Sequence, residues 1–181
     1  MPRNIEIKAT LRDRAAAMAQ AARLSDAGPE TIVQEDFFFA CEGARLKLRV
    51  FEPGRGELIR YQRENIASAR CSRYQIARTA DPDVLLDILT HTLGRIGVVR
   101  KTRILYLIGQ TRVHIDQVEG LGDFLELEVV LRSEQSEADG QQIAERLLAR
   151  LGIDNSQLVA EAYVDLVARQ GSIAMNRPEC S

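Results

Sequence analysis

Lysine is nearly absent. Of 24 basic residues only three are lysine, Lys8, Lys47 and Lys101, and the rest are arginine. Lysine carries a compact, rotatable point charge and arginine a rigid planar fork. The bias has two readings, a need for that compact charge at three places or codon composition alone. Other absences narrow the classes. The formal net charge is −2, so the surface as a whole is not built to hold nucleic acid. No apolar run approaches membrane-spanning length, and the start, M-P-R-N-I-E, shows no charged-then-apolar leader. Cys41, Cys71 and Cys180 are odd in number and widely spaced, which excludes a zinc pattern and an obvious disulfide framework and points to a reduced, cytoplasmic setting. Low-complexity segments are missing too. A length of 181 residues with 45% hydrophobic content suits one domain, expected over 1–170, with a loose tail over 171–181.

What is present is alternation. Strands are predicted at Asn4–Thr10, Gln34–Ala40, Ala44–Phe51, Glu57–Glu64, Ser72–Arg78, Val98–Ile108, Thr111–Gln117 and Asp123–Leu131. An Ala-rich helix is expected from about Arg12 to Ala27, stopped by Gly28-Pro29. A second opens at Asp81-Pro82, carries Leu85, Ile88, Leu89 and Leu93, and closes at Gly94. Two more follow, one with Ile143, Leu147, Leu148 and Leu151 before Gly152, the other over about 156–170. The order strand, helix, three strands thus occurs twice, which suggests two similar half-sheets closing on each other.

The two-residue period fixes which side chains share a face. Asn4, Glu6 and Lys8 oppose Ile5 and Ile7; Arg45, Lys47 and Arg49 oppose Leu46, Leu48 and Val50. Tyr61 goes with Arg63, Arg73 with Gln75, Lys101 with Arg103, His114 with Asp116, and Glu126 with Glu128. Strand by strand this is also the pattern of a half-exposed sheet, polar outside. Taken as a set it is not. The charge runs unbroken along whole strands, acids gather on the first and last strands and bases between them, and the helices need an apolar face to lie on. A closed antiparallel barrel of α+β class, charged inside and apolar outside under helices, satisfies all three. Eight bases and four acids on the inward set then leave an interior excess of four positive charges, too costly to bury without a polyanion. A triphosphate chain fits, and the carboxylates suit a hard divalent cation such as Mg²⁺ or Mn²⁺.

The segments N-I-E-I-K, R-L-K-L-R, R-K-T-R-I-L-Y and V-H-I-D-Q-V-E-G-L-G-D-F-L-E-L-E resemble the signature strands of the CYTH superfamily, the triphosphate tunnel proteins. The likeness runs from about residue 3 to 167, is most specific over 116–128, and leans to the class IV adenylyl cyclase-like branch. It implies an eight-stranded antiparallel barrel with the ligand in its tunnel. Glu6, Asp116, Glu126 and Glu128 would hold metal, and Lys8, Arg45, Lys47, Arg49, Arg63, Arg73, Lys101 and Arg103 would grip the triphosphate. The general base is not identified, and His114 reads as a wall residue rather than that base. In the superfamily's first-strand motif an acid stands where this chain has Asn4, which implies a weaker or single metal site. Gln75 likewise stands where an acid is common, and E-A-Y-V-D-L (161–166) resembles a segment with Ser in place of Ala162, where Tyr163 is expected to be structural and to close the tunnel. The expected activity is hydrolysis of tripolyphosphate, thiamine triphosphate or a nucleoside triphosphate. A class IV adenylyl cyclase is the alternative, disfavoured by the lack of a His-Phe pair near the start, and a non-catalytic polyphosphate or nucleotide binder is the third. The partner is a small triphosphate, with no nucleic acid and no membrane, and a homodimer is compatible with the resemblance.

Overall fold

The alternating stretches form eight strands in the computed structural model, which describes residues 2–52 and 54–175. They are β1 (Arg3–Thr10), β2 (Ala27–Phe39), β3 (Arg45–Glu52), β4 (Arg55–Gln62), β5 (Arg70–Thr79), β6 (Arg95–Ile108), β7 (Thr111–Val118) and β8 (Gly122–Val130). Four helices accompany them: α1 (Arg14–Leu24), α2 (Pro82–Leu93), α3 (Glu137–Leu151) and α4 (Tyr163–Met175). The strands close into an antiparallel barrel in the order β1-β5-β4-β3-β2-β6-β7-β8, with β8 paired back to β1. The two repeats are therefore interleaved. Strands β2–β4 and β6–β8 are meanders, but β1 lies against β8 of the other repeat and β5 against β4.

Outward side chains make the core. Ile5, Ile7, Val113, Ile115, Leu125, Leu127 and Val129 form one buried cluster with Ala17 and Ala21 of α1 and Ala144, Leu147, Leu148 and Leu151 of α3. Each large aliphatic residue so buried contributes roughly 1.5–3 kcal/mol. Phe37, Phe39 and Leu48 pack under Leu85, Leu86 and Leu89 of α2. The α2 stripe is turned from the one expected: Ile88 is 54% exposed and Leu93 39%, because Leu86 takes the inner face. A third cluster sits at one end of the barrel, where Ala162, Tyr163 and Val164 meet Phe38, Val99, Val118 and Phe124. Gly97 permits that approach, since a Cβ there would lie 2.6 Å from Val164 Cγ2.

The helix ends follow local chemistry. Asp13 caps α1 by accepting from the Ala16 N–H, and Ser136 and Asp139 form a reciprocal box at the start of α3. Gly152 ends α3 at φ +72. Gly28-Pro29 does not stop α1. That helix ends at Leu24, and the dipeptide lies inside β2, where the register with β6 shifts between Ala27 and Glu30. A Gly-Pro pair breaks a regular strand as readily as a helix. The last helix starts at Tyr163 rather than 156, after a short 3-10 turn at Asn155–Gln157. Of the tail expected over 171–181, residues 171–175 continue α4 and 176–181, with Cys180, lie outside the described residues. Among the described residues no helix is long and apolar enough to cross a membrane.

Candidate functional site

The inward faces enclose a cavity of about 340 Å³. Its lining contains Glu6 and Lys8 of β1, Lys47 and Arg49 of β3, Arg63 after β4, Lys101 and Arg103 of β6, and Glu126 and Glu128 of β8, all expected from the alternation. His114 of β7 lines it too. Each cation of this lining meets a carboxylate. Asp36 accepts from Lys47 Nζ at 2.7 Å and from Arg49 Nε and Nη2 at 2.8 and 3.0 Å. Asp116 accepts from Lys101 Nζ at 2.8 Å, from Arg103 at 2.7 and 2.6 Å, and from the Tyr163 hydroxyl at 3.2 Å. Lys8 lies 3.2 Å from Glu126, donates to the Glu161 carbonyl at 3.0 Å, and stands 3.7 Å from the Tyr163 ring centroid. Arg63 donates to Glu6 at 2.9 Å and Arg112 to Glu128 at 2.8 Å.

Burial sets the charge behaviour. Desolvation pulls the Lys47 ammonium down to about 8, with Arg49 adding to the fall and Asp36 resisting it. Lys8 likewise comes down to about 8, by burial, against the pull of Glu126. Burial alone would raise the Asp36 carboxyl, but Arg49 and Lys47 hold it well below the usual carboxylate range. Burial opposes ionisation of Glu126 in the same way, and Lys8, Lys101 and Arg103 overcome it.

Three expected site residues are placed differently. Arg73 points outward, 57% exposed in its side chain, 3.3 Å from Glu137 of α3. Ser72 and Tyr74 face the cavity instead, because β1 register pairs Asn4 with Ser72 and Arg3 with Arg73. Gln75, on the Arg73 face, is outside the lining as well. Arg45 shares a face with Lys47 but stands beyond the cavity lining, held by Asp165 of α4 at 3.0 and 2.6 Å. Asp116 is 0% exposed behind Lys101 and Arg103, so it is an anchor for those cations rather than an open metal ligand. Three charged lining residues lie outside the expected set: Asp36, which precedes the Phe37–Phe39 run, Glu57, which shares a strand face with Tyr61 and Arg63, and Arg112, two residues before His114, so the alternation signalled all three. The lining carries seven bases and five acids, an excess of two positive charges rather than four.

Glu126, Glu128 and His114 can hold a divalent cation. One ligand atom from each lies within 4.8 Å of the others. The imidazole Nδ1 is buried without a hydrogen-bond partner, 3.8 Å from Glu128 Oε1. Burial, with Arg103 nearby, pushes His114 down to about 3, so the ring is neutral with a lone pair available. Two carboxylates and a neutral imidazole are a donor set for such an ion. Glu6 pairs with Glu128 across the β1–β8 seam and widens the acidic wall. Asn4 does not complete it: with the amide oriented by its surroundings, its oxygen accepts from Arg112 Nη2 at 3.0 Å.

Comparison with known proteins agrees with this geometry. Adenylate cyclase CyaB of Aeromonas hydrophila is 29% identical over 126 residues, which are 68% of this chain and 63% of that protein, so the chain spans under two thirds of the length of this relative. Among solved structures, PH1012 of Pyrococcus horikoshii superposes with a TM-score of 0.80 at 21% identity, covering 90% of this chain and 98% of that one. HpAC1 from Hippeastrum, described as an adenylyl cyclase candidate with a dominant triphosphatase activity, superposes at 0.64 and 16% identity, over 94% and 96% of the two chains. At these identities the structures speak for the fold alone. The model of the CYTH domain matches residues 2–163, nearly the whole barrel with its charged lining, and the chain belongs to the CYTH domain family.

Proposed function

We propose that the chain binds a triphosphate-bearing substrate with a divalent cation inside the barrel and hydrolyses it. The supporting observation is the juxtaposition of Lys47, Arg49, Lys101 and Arg103 with the His114, Glu126 and Glu128 cluster across one cavity. Phosphate oxygens replace Asp36 as acceptors for Lys47 and Arg49, whose charges then face the transferring group. Glu126, Glu128 and His114 would hold the Mg²⁺ or Mn²⁺, which would supply positive charge to stabilise the negative charge developing on the transferred phosphate. Tyr163 and Ala162 cover the end beside α4. Because Asn4 is engaged by Arg112 and carries no charge, one tight Mg²⁺ site forms in the presence of tripolyphosphate. A titration showing two tight sites overturns that point.

On β2, β3, β5 and β6, one inward position farther from α4, the lining turns apolar at Ile32, Phe51, Ile76 and Leu105. This favours a substrate with an organic group on its phosphate chain. It also keeps the second reading open, cyclisation of ATP to cyclic AMP and pyrophosphate, which the name of the Aeromonas relative suggests. The free thiols of Cys41 and Cys71 support a reducing, cytoplasmic setting.

Incubation with tripolyphosphate, ATP and thiamine triphosphate, each with Mg²⁺ and with Mn²⁺, separates the readings by product. Orthophosphate supports the hydrolase, and cyclic AMP with pyrophosphate replaces it by the cyclase. Tight saturable binding without turnover leaves a binder.

A further inference from the structure

Arg70 differs from every other guanidinium around the barrel. It opens β5 directly after the loop 63–69 and is 3% exposed. Its Nη1 donates to the Ile66 carbonyl, while Nε and Nη2 are buried with no hydrogen-bond partner. It forms no ion pair among the described residues. Its neighbours are all committed: Arg45 to Asp165, Arg63 to Glu6 and Arg73 to Glu137. These four arginines line one cavity of about 510 Å³, separate from the tunnel but sharing Tyr61 and Arg63 with it as a common wall. Two acids border the cavity, Glu137, taken by Arg73, and Glu64, which is exposed.

A buried guanidinium with two idle N–H groups is costly unless an anion meets it. Nε and Nη2 form the edge that takes two oxygens of one tetrahedral anion in parallel. Burial, with Arg63 beside it, lowers the Arg70 guanidinium to about 10, as expected of a cation without a counter-charge that is still ionised at neutral pH.

We propose that this cavity is a second phosphate site, in which Arg70 receives a phosphate group at the side of the tunnel. The group is either free orthophosphate or the end of a chain longer than the tunnel holds. The site rests on Arg70 and its neighbours, not on catalysis in the barrel, and either reading can fail alone.

Calorimetric titration with orthophosphate, tripolyphosphate and tetrapolyphosphate tests it on three proteins: the unaltered chain, Arg70→Met and Lys47→Ala. Arg70→Met keeps the apolar stem and removes the fork. If free phosphate is the occupant, orthophosphate affinity falls about tenfold or more in Arg70→Met and is kept in Lys47→Ala. If the end of a chain is the occupant, Arg70→Met weakens tetrapolyphosphate by a similar factor and leaves tripolyphosphate unchanged. Lys47→Ala weakens tripolyphosphate in either case if the barrel is the triphosphate site. Glu64→Gln removes the nearby competing acid and tightens the phosphate that binds at Arg70. The proposal is overturned if folded Arg70→Met binds orthophosphate and tetrapolyphosphate as the unaltered chain does. Should Arg70→Met not fold, the phosphates are compared on Lys47→Ala with and without Glu64→Gln, and the absence of any Glu64-dependent change overturns it equally.

Discussion

Asp36 and Asp116 perform the same task on two neighbouring walls of the barrel, yet in different surroundings. Each accepts from a lysine and an arginine two residues apart on an adjacent strand: Lys47 and Arg49 on β3, Lys101 and Arg103 on β6. The first group keeps contact with solvent, with Lys47 and Arg49 side chains 12% and 15% exposed and Asp36 4%. The second is closed off, at 3%, 5% and 0%, with Tyr163 as an extra donor to the acid. The repeat thus supplies one ion cluster that keeps contact with solvent and one that also fastens α4 to the barrel. Chemically matched residues are separated here by what lies over them.

The largest effect that tests this contrast is on stability. Asp116→Asn leaves the buried Lys101 without its carboxylate partner and Arg103 with Glu126 alone, and is expected to cost about 3–5 kcal/mol in urea unfolding. Asp36→Asn costs about 1–3 kcal/mol, because water reaches its cations. Equal losses would show that the two clusters are equally closed. On affinity the order reverses. Lys47→Ala and Arg49→Ala are each expected to weaken tripolyphosphate about tenfold to a hundredfold while remaining folded. If neither variant changes affinity, the barrel interior is not the triphosphate site.

A pH series gives the next effect. Lys47 titrates at about 8 in the fold, against an ordinary 10.5. Between these values the unfolded chain holds a proton that the fold has released, so stability rises with pH across that window. The same release removes a positive charge from the cavity, so affinity for tripolyphosphate falls. Both trends should flatten, relative to the unaltered chain, in Lys47→Met. If Lys47→Met has the same profiles, Lys47 is not the group. The smallest effect expected is for Phe51→Ala, about two- to fivefold in KM for ATP or thiamine triphosphate with tripolyphosphate unaffected. An equal change for all three would place Phe51 in the general shape of the cavity rather than beside an organic group.

Much of this was legible in the residues because the strand period is two and the outer face must be apolar to carry helices. Glu126 and Glu128 between Leu125, Leu127 and Val129 put both carboxylates on one face and the aliphatic side chains on the face that carries helices. The misplacements have separate causes. On β5 the reading assumed that charge faces inward, whereas Arg73 is exposed and Ser72 and Tyr74 line the cavity, a phase set by pairing with β1. Arg45 and Asp116 were on the right face, but what removed them from the cavity was α4, through Asp165 and Tyr163. Periodicity reports the side of a strand and says nothing of what another element lays over it. Asp36 was hidden differently. Its neighbours Phe37, Phe38 and Phe39 read as uniform core, although Phe38 faces the cavity and the other two face α2.

The seam between β1 and β8 joins the first strand of the chain to the last. Glu6 meets Glu128, and Lys8 meets Glu126, only across that seam. Neither repeat owns a complete site, since each has lent its opening strand to the other. A chain stalled with seven strands paired would have lysines and arginines facing solvent and no assembled acidic wall to receive a metal. On the proposed function the site is complete only when the ring closes, and a cation or a phosphate chain bound across the seam would hold shut the strand pairing that is most distant in sequence.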